Sequence, residues 1–437
     1  MRHFFGKMKT EMLYRIFRDS EGISVDSRTV TGGQIFFALW GENHNGNKFA
    51  ADALAKGASW AVIDDPAYET RKTILVNDGL LELQALAGYY RKKISPEVIA
   101  ITGTNGKTTT KELISTVLAK KFRVHSTRGN YNNQIGVPLS ILSAPENTEK
   151  MILEFGASHV GEIRTLCIIA RPDYGIVTNV GKAHTEGFGG YEGVLKTKTE
   201  LYEYLQEVNG VALYNEKDPV LTGKIFRLVN RAVPFSDPAG TNLNISVISS
   251  GLNLCLTVRY MHETYKISTK LFGAYNIENI RAAIATGLFF GVDIKDAIDA
   301  VEHYQPANNR SQVKVTGNNT LICDSYNANP SSMMKAIESF AGLEADKKIC
   351  ILGDMLELGK SSNEEHKKVL KALRAKDLGN TILVGNNFRQ ADENQDFITF
   401  SSVAELKEYF SAEPLTGYYI LIKGSRGIAL EKIYGNL

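Results

Sequence analysis

In the stretch Val98-Ile-Ala-Ile-Thr-Gly-Thr-Asn-Gly-Lys-Thr-Thr-Thr-Lys-Glu-Leu113, two glycines, a lysine and a run of threonines stand where a short apolar strand gives way to a helix starting near Lys107. A strand, a glycine turn and a helix in that order aim backbone N–H groups and a helix N-terminus at phosphate oxygens, so the chemistry predicted is ATP or GTP binding. Gly103 and Gly106 let the backbone turn tightly against an anion, Lys107 reaches the outer phosphates, and the Thr108 hydroxyl suits magnesium. The longer nucleoside-triphosphatase pattern wants glycine five residues before Gly106, where this chain has Ile101. A plain strand-turn-helix junction is the bland alternative, but both flanking periods fit the phosphate reading.

Further candidates stand at predicted strand ends or helix starts. Glu154, in Ile152-Leu-Glu-Phe-Gly-Ala-Ser-His159, sits where a second magnesium ligand would, and by spacing alone is equally an acid at a strand exit. His184, in Thr178-Asn-Val-Gly-Lys-Ala-His184, follows another strand and glycine turn and divides evenly between ligand and surface residue. Lys196 and Lys198 lie on the predicted helix Val194 to Tyr202, which by composition is a solvated amphipathic face. Asn276 and Asn279 open a helix after Phe272, where capping competes with purine contact. Asp26-Ser27-Arg28 offers a carboxylate, a hydroxyl and a guanidinium in one turn, with a local surface ion pair as the simpler reading. A second polar turn, Gly41 to Gly46, follows Phe36-Phe37-Ala38-Leu39.

The elements that must position these residues predict an α/β fold in three domains. Residues 1–95 make a small N-terminal α/β domain with strands at Ile35 to Leu39 and Trp60 to Ile63 and a helix at Ala51 to Lys56. Residues 96–308 alternate apolar strands with helices, as in a P-loop-type parallel sheet with helices on both faces, and ligands of such sheets sit beyond the carboxyl ends of the strands. Residues 309–437 make a Rossmann-like third α/β domain whose strands exit into three polar turns: Asp324 to Pro330, Gly353 to Gly359 and Lys423 to Arg426. The 437 residues supply material for several cores, with 43% hydrophobic and 22% charged residues and a formal net charge of only +2. That balance excludes a chain built to bind nucleic acid or to stay disordered. No run is apolar enough for a membrane span or signal peptide, so a cytoplasmic chain is expected. Four scattered cysteines, Cys167, Cys255, Cys323 and Cys350, show no metal spacing and are expected as reduced core residues. No heptad demands a partner copy, and a monomer is expected.

Together these stretches resemble the Mur ligases, the ATP-dependent amide-forming enzymes of peptidoglycan synthesis. Thr102 to Thr109 carries the family likeness, and Asn130 to Leu139, Glu154 to His159 and Asp324 to Pro330 resemble the branch that adds D-alanyl-D-alanine to UDP-N-acetylmuramoyl-tripeptide. The resemblance accounts for Ile101, since the family uses the shorter loop. It implies that Gly103, Thr104, Asn105, Gly106, Lys107, Thr108 and Thr109 form the nucleotide loop, with Asn279 at adenine and Arg310 and Asp324 closing over the nucleotide. It implies two magnesium ions, held by Thr108, Glu154, His184 and Lys198, with Lys198 carried as a carbamate. Lys107, His184 and Lys198 would be the catalytic residues. Asp26, Ser27 and Arg28 would meet the UDP end of the substrate and Asn132 and Asn133 its muramoyl part. Asn327, Asn329, Lys423, Ser425 and Arg426 would meet D-alanyl-D-alanine.

Overall fold

The structure is a computed structural model that describes residues 2–41, 44–181 and 185–437, with the side chains of 2–9, 185 and 186 left out. The chain is α/β throughout, as expected from the sequence. Its contacts divide it into two compact units: 1–100 with 122–157 and 161–175, and 101–121 with 158–160 and 176–437. Among the described residues no helix is long and apolar enough to cross a membrane.

In the first unit, the strands Ile23–Ser24, Ile35–Phe37, Trp60–Ile63 and Thr73–Leu75 lie side by side in one parallel sheet, paired Ser24 to Phe36, Phe37 to Val62 and Ile63 to Leu75. Phe36, Ala38, Ala61 and Ile63 pack against Ala50 and Ala53 of the helix Ala50–Ala55, and burying a large apolar side chain is worth about 1.5–3 kcal/mol. The helix Gly79–Ile94 starts on Asp78, which accepts from the Leu81 N–H, and stops at Ser95, left-handed with φ 48° just before Pro96. The strands Val124–Ser126 and Lys150–Glu154 pair in parallel, and every residue of the latter is buried.

In the second unit, the helix Lys107–Leu118 packs against Ile277–Phe289 and Ile294–His303. Val211–Tyr214 pairs in parallel with Ala232–Pro234, and the stretch from Leu243 to Ser268 is a three-stranded antiparallel sheet. The strands Glu97–Thr102 and Tyr174–Val177 are each divided between the two units. A six-stranded sheet follows in the order Gln312–Val315, Thr320–Cys323, Tyr419–Lys423, Lys348–Gly353, Thr381–Val384, Ile398–Phe400, parallel except for the first edge. Side chains alternate across a strand. Ile322, Cys350, Leu352, Leu383 and Leu421 therefore meet Phe340 and Leu370 on one face, while Leu321, Ile351, Ile382 and Ile420 meet Leu406 and Phe410 on the other. That is a doubly wound sheet covered on both sides, as the continuous apolar runs predicted. One cysteine departs from expectation: Cys167, Cys323 and Cys350 are buried and free, but Cys255 is half-buried, because its strand belongs to the thin antiparallel sheet rather than to a two-sided core.

Candidate active site

The phosphate-loop glycines have backbone conformations that side chains would not tolerate. Gly103 has φ +139°, and a Cβ there would lie 2.0 Å from the Thr178 hydroxyl; Gly106 has φ +79°, and a Cβ there would lie 2.4 Å from Oδ1 of Asn279. Gly106 is also the residue from which the helix Lys107–Leu118 starts, and as a glycine it supplies no side-chain cap there. The loop is held from the neighbouring strand end. Thr104 N donates to Asn179 O (2.9 Å), Asn105 N to Asn179 Oδ1 (3.1 Å), and Thr178 Oγ1 to Asn105 O (2.7 Å). The Gly181 N–H donates to Thr104 Oγ1 at 2.9 Å. Lys107 folds over this turn, its ammonium donating to Gly103 O (2.8 Å) and Thr104 O (3.2 Å). Thr108 and Thr109 are buried behind it. A glycine turn running into a helix N-terminus and crossed by one ammonium is a cradle for a polyphosphate.

The start of the third domain's first helix bonds directly to this loop. Asn329 caps the helix Pro330–Ala341 through the Ser332 N–H and donates from Nδ2 to Asn105 Oδ1 (2.7 Å), while Asn105 Nδ2 donates to Ser331 Oγ (2.8 Å). Nearby, Arg310 lays its guanidinium 3.7 Å from the centre of the Tyr326 ring, and its Nε is buried with no hydrogen-bond partner. Asp324 accepts from Lys423 Nζ (2.7 Å) and from the Ser311 N–H (3.0 Å).

Three successive stretches match models of the Mur ligase family: its catalytic domain over 19–102, its middle domain over 101–287 and its glutamate ligase domain over 309–426. This chain belongs to the Mur ligase family. It is 34% identical over 433 residues, 95% of this chain and 93% of the relative, to the UDP-N-acetylmuramoyl-tripeptide--D-alanyl-D-alanine ligase of Bacillus subtilis (strain 168). The crystal structure of MurF from Acinetobacter baumannii matches with a TM-score of 0.84 at 28% identity, covering 97% of each chain. That of the MurF ligase from Thermotoga maritima in complex with ADP matches with a TM-score of 0.83 at 26% identity, covering 96% of this chain and 97% of that one.

Other residues singled out from the sequence of this Mur ligase fall as follows. Lys198 is 3% exposed, with Nζ 5.5 Å from the Phe188 ring centre. The solvated-face reading of its helix, Tyr191–Glu207, is therefore corrected for Lys198, although Lys196 is exposed as that reading required. A helix covered on one side buries one of two lysines spaced two apart, and composition does not say which. Glu154 is buried; it accepts from Asn132 Nδ2 at 2.9 Å, and its N–H donates to Thr127 Oγ1. Asn133 takes the Ile135 and Gly136 N–H groups at the start of the helix Gly136–Leu142. Asn279 is buried beside the loop, donating to Asn276 and accepting from Thr110 Oγ1 at 3.1 Å. Asn276 makes no side-chain cap; its amide reaches Phe272 O and Ser311 Oγ instead, so the capping alternative for it fails.

Asp26 and Arg28 form the local ion pair, Arg28 donating to both carboxylate oxygens, and these bonds hold the Asp26 carboxyl down at about 2. Ser27 is buried, its carbonyl taking Lys56 Nζ at 3.0 Å. Asn327 Oδ1 accepts the Ala328 N–H; Ser425 Oγ donates to Ala328 O and accepts from the Leu356 N–H; Arg426 reaches the Tyr326 hydroxyl at 3.4 Å. The three polar turns of the last sheet are thus bonded to one another, as their shared edge predicted. His184 lies outside the described residues. Among the described residues no group of three or more His, Cys, Asp or Glu side chains gathers as a metal cluster. Sequence reading missed Ser331 and Thr110, whose contacts are with residues more than 150 positions away and leave no local signal.

Proposed function

We propose that this chain ligates D-alanyl-D-alanine to UDP-N-acetylmuramoyl-tripeptide, driven by ATP, to give the pentapeptide precursor of peptidoglycan. The observation that carries the reading is likeness across nearly the whole chain to a relative bearing that name, with a polyphosphate cradle present in the second unit. The substrate carboxylate is a poor electrophile, so it first attacks the γ-phosphate, releasing ADP and forming an acyl phosphate; the amine of D-alanyl-D-alanine then attacks the acyl carbon and phosphate leaves. Lys107, on the loop from Gly103 to Thr109 that ends in a helix N-terminus, offsets the charge of the polyphosphate and the charge developing on the transferred group. Asn279 bounds the adenine, and Arg310 and Asp324 contact the nucleotide from the third domain, where the unpartnered Arg310 Nε fits an anionic guest.

Asp26, Ser27 and Arg28 receive the UDP end, Asn132 and Asn133 the muramoyl part, and Asn327, Asn329, Lys423, Ser425 and Arg426 the incoming dipeptide. Magnesium, when bound, supplies charge neutralisation, with Thr108, Glu154, His184 and a Lys198 carbamate as its oxygen and nitrogen donors. Lys198 is buried on its helix, and a carbamate there would present an anionic oxygen donor to the metal. Phosphate release by the purified chain with ATP and the tripeptide substrate tests the reading. Release is expected with D-alanyl-D-alanine and not with free diaminopimelate, lysine or glutamate; the opposite pattern rejects it.

A further inference from the structure

Trp40 is an aromatic residue with no place in the core. It is 59% exposed, yet it is fixed: the indole N–H donates to Asp64 Oδ1 at 2.8 Å. Asp64 is itself immobilised, accepting from Asn47 Nδ2 (2.8 Å) on the same oxygen and from the Gly79 N–H (2.9 Å) on the other, and Asn47 is fully buried. An exposed ring without such a tether would sample several rotamers; this one is held by its edge with apolar surface left in water.

Its place in the sheet gives that surface a purpose. Three neighbouring parallel strands end on one side: Ile23–Ser24 runs into Asp26-Ser27-Arg28, Ile35–Phe37 runs into Trp40, and Trp60–Ile63 runs into Asp64. Ligands of parallel sheets bind beyond the carboxyl ends of the strands. The same edge therefore carries an exposed guanidinium, Arg28, and a flat apolar ring, the two chemistries that a nucleoside diphosphate with a planar base asks for. We infer that Trp40 is the platform on which the uracil ring of the sugar-nucleotide substrate stacks, a specificity residue that rests on the function proposed above.

The chain has two tryptophans, so a Trp60→Phe variant leaves Trp40 as the only one. UDP titrated into that variant is expected to change its emission saturably. Stacking on an aromatic side chain is a sizeable share of base affinity, so Trp40→Ala is expected to weaken UDP binding about 5- to 100-fold. Trp40→Phe, which keeps a ring but not the N–H, is expected to stay within about threefold of the parent chain, with ADP affinity unchanged in every variant. Undiminished UDP affinity in Trp40→Ala, or unmoved emission on UDP binding, overturns the stack alone. Trp40→Phe as weak as Trp40→Ala overturns it in favour of the Asp64 tether. A parent chain that binds ADP but no UDP takes down both the stack and the reading beneath it.

Discussion

Two lysines two positions apart show how much a single residue's surroundings decide. Lys196 faces solvent and Lys198 is 3% exposed, on one helix of mixed composition. An ordinary ammonium in that position has lost its water, whereas a carbamate would exchange the cation for an anionic oxygen ligand. Lys198→Ala is therefore expected to abolish ligation, by 10³-fold or more on the order of other lost charge-stabilising groups. A short-chain carboxylate such as formate should partly restore it, and bicarbonate should not. Lys196→Ala should stay near the parent rate, and an active Lys198→Ala enzyme removes the carbamate from the proposal. The loop residues were legible at this scale because glycine, lysine and threonine at fixed spacing have few other uses. Asn132 and Asn133 were not separable by type: one amide meets Glu154 and the other accepts backbone N–H groups just ahead of a helix.

Strands were read correctly wherever both faces are covered, since a fully buried strand is a continuous apolar run; Thr320–Cys323 and Thr381–Val384 stand where expected. Helix ends followed their chemistry too, with Ser95 before Pro96 and Asp293 accepting from the Lys295 N–H. What sequence did not disclose is that one helix start is shared with the phosphate loop. Asn329 holds the first turn of Pro330–Ala341 through a reciprocal bond with Ser332 and also bonds Asn105, 224 positions away. Asn329→Ala should cost about 1 kcal/mol or more of stability through the lost cap and should also weaken ADP binding by loosening the loop. Urea unfolding and ADP titration measure the two; a stability loss with unaltered ADP affinity would mean that the contact with Asn105 does not brace the loop.

For the molecule as a whole, three family stretches succeed one another along the chain while its contacts sort into two units. Contact density depends on pairs remote in sequence, so such a division is not written in any local composition. The second unit contains a pH-sensitive knot: His366 is fully buried, accepts the Met355 N–H on Nε2 at 3.1 Å, and has Nδ1 2.7 Å from Ser362 O. Burial holds its pKa below the ordinary 6.5. Because the unfolded chain takes up this proton more readily, the stability that His366 supplies is complete above about pH 6.5 and drains away as pH falls through the lower folded value. Thermal melting between pH 7.5 and 5 should show this loss, and His366→Gln should melt lower at pH 7.5 but with a flatter slope; an unchanged slope would place the pH response elsewhere.

The uneven burial of the thiols has a practical side. Burial lifts Cys323 to about 11 and Cys350 to about 12, so neither offers a thiolate while the fold stands, and Cys167 is buried as well. Only Cys255, on the outlying antiparallel sheet, meets reagent early. A dye that alkylates sulfur would mark that one strand on the intact enzyme, and each additional label would count an opening of the interior, giving the molecule its own clock for coming apart.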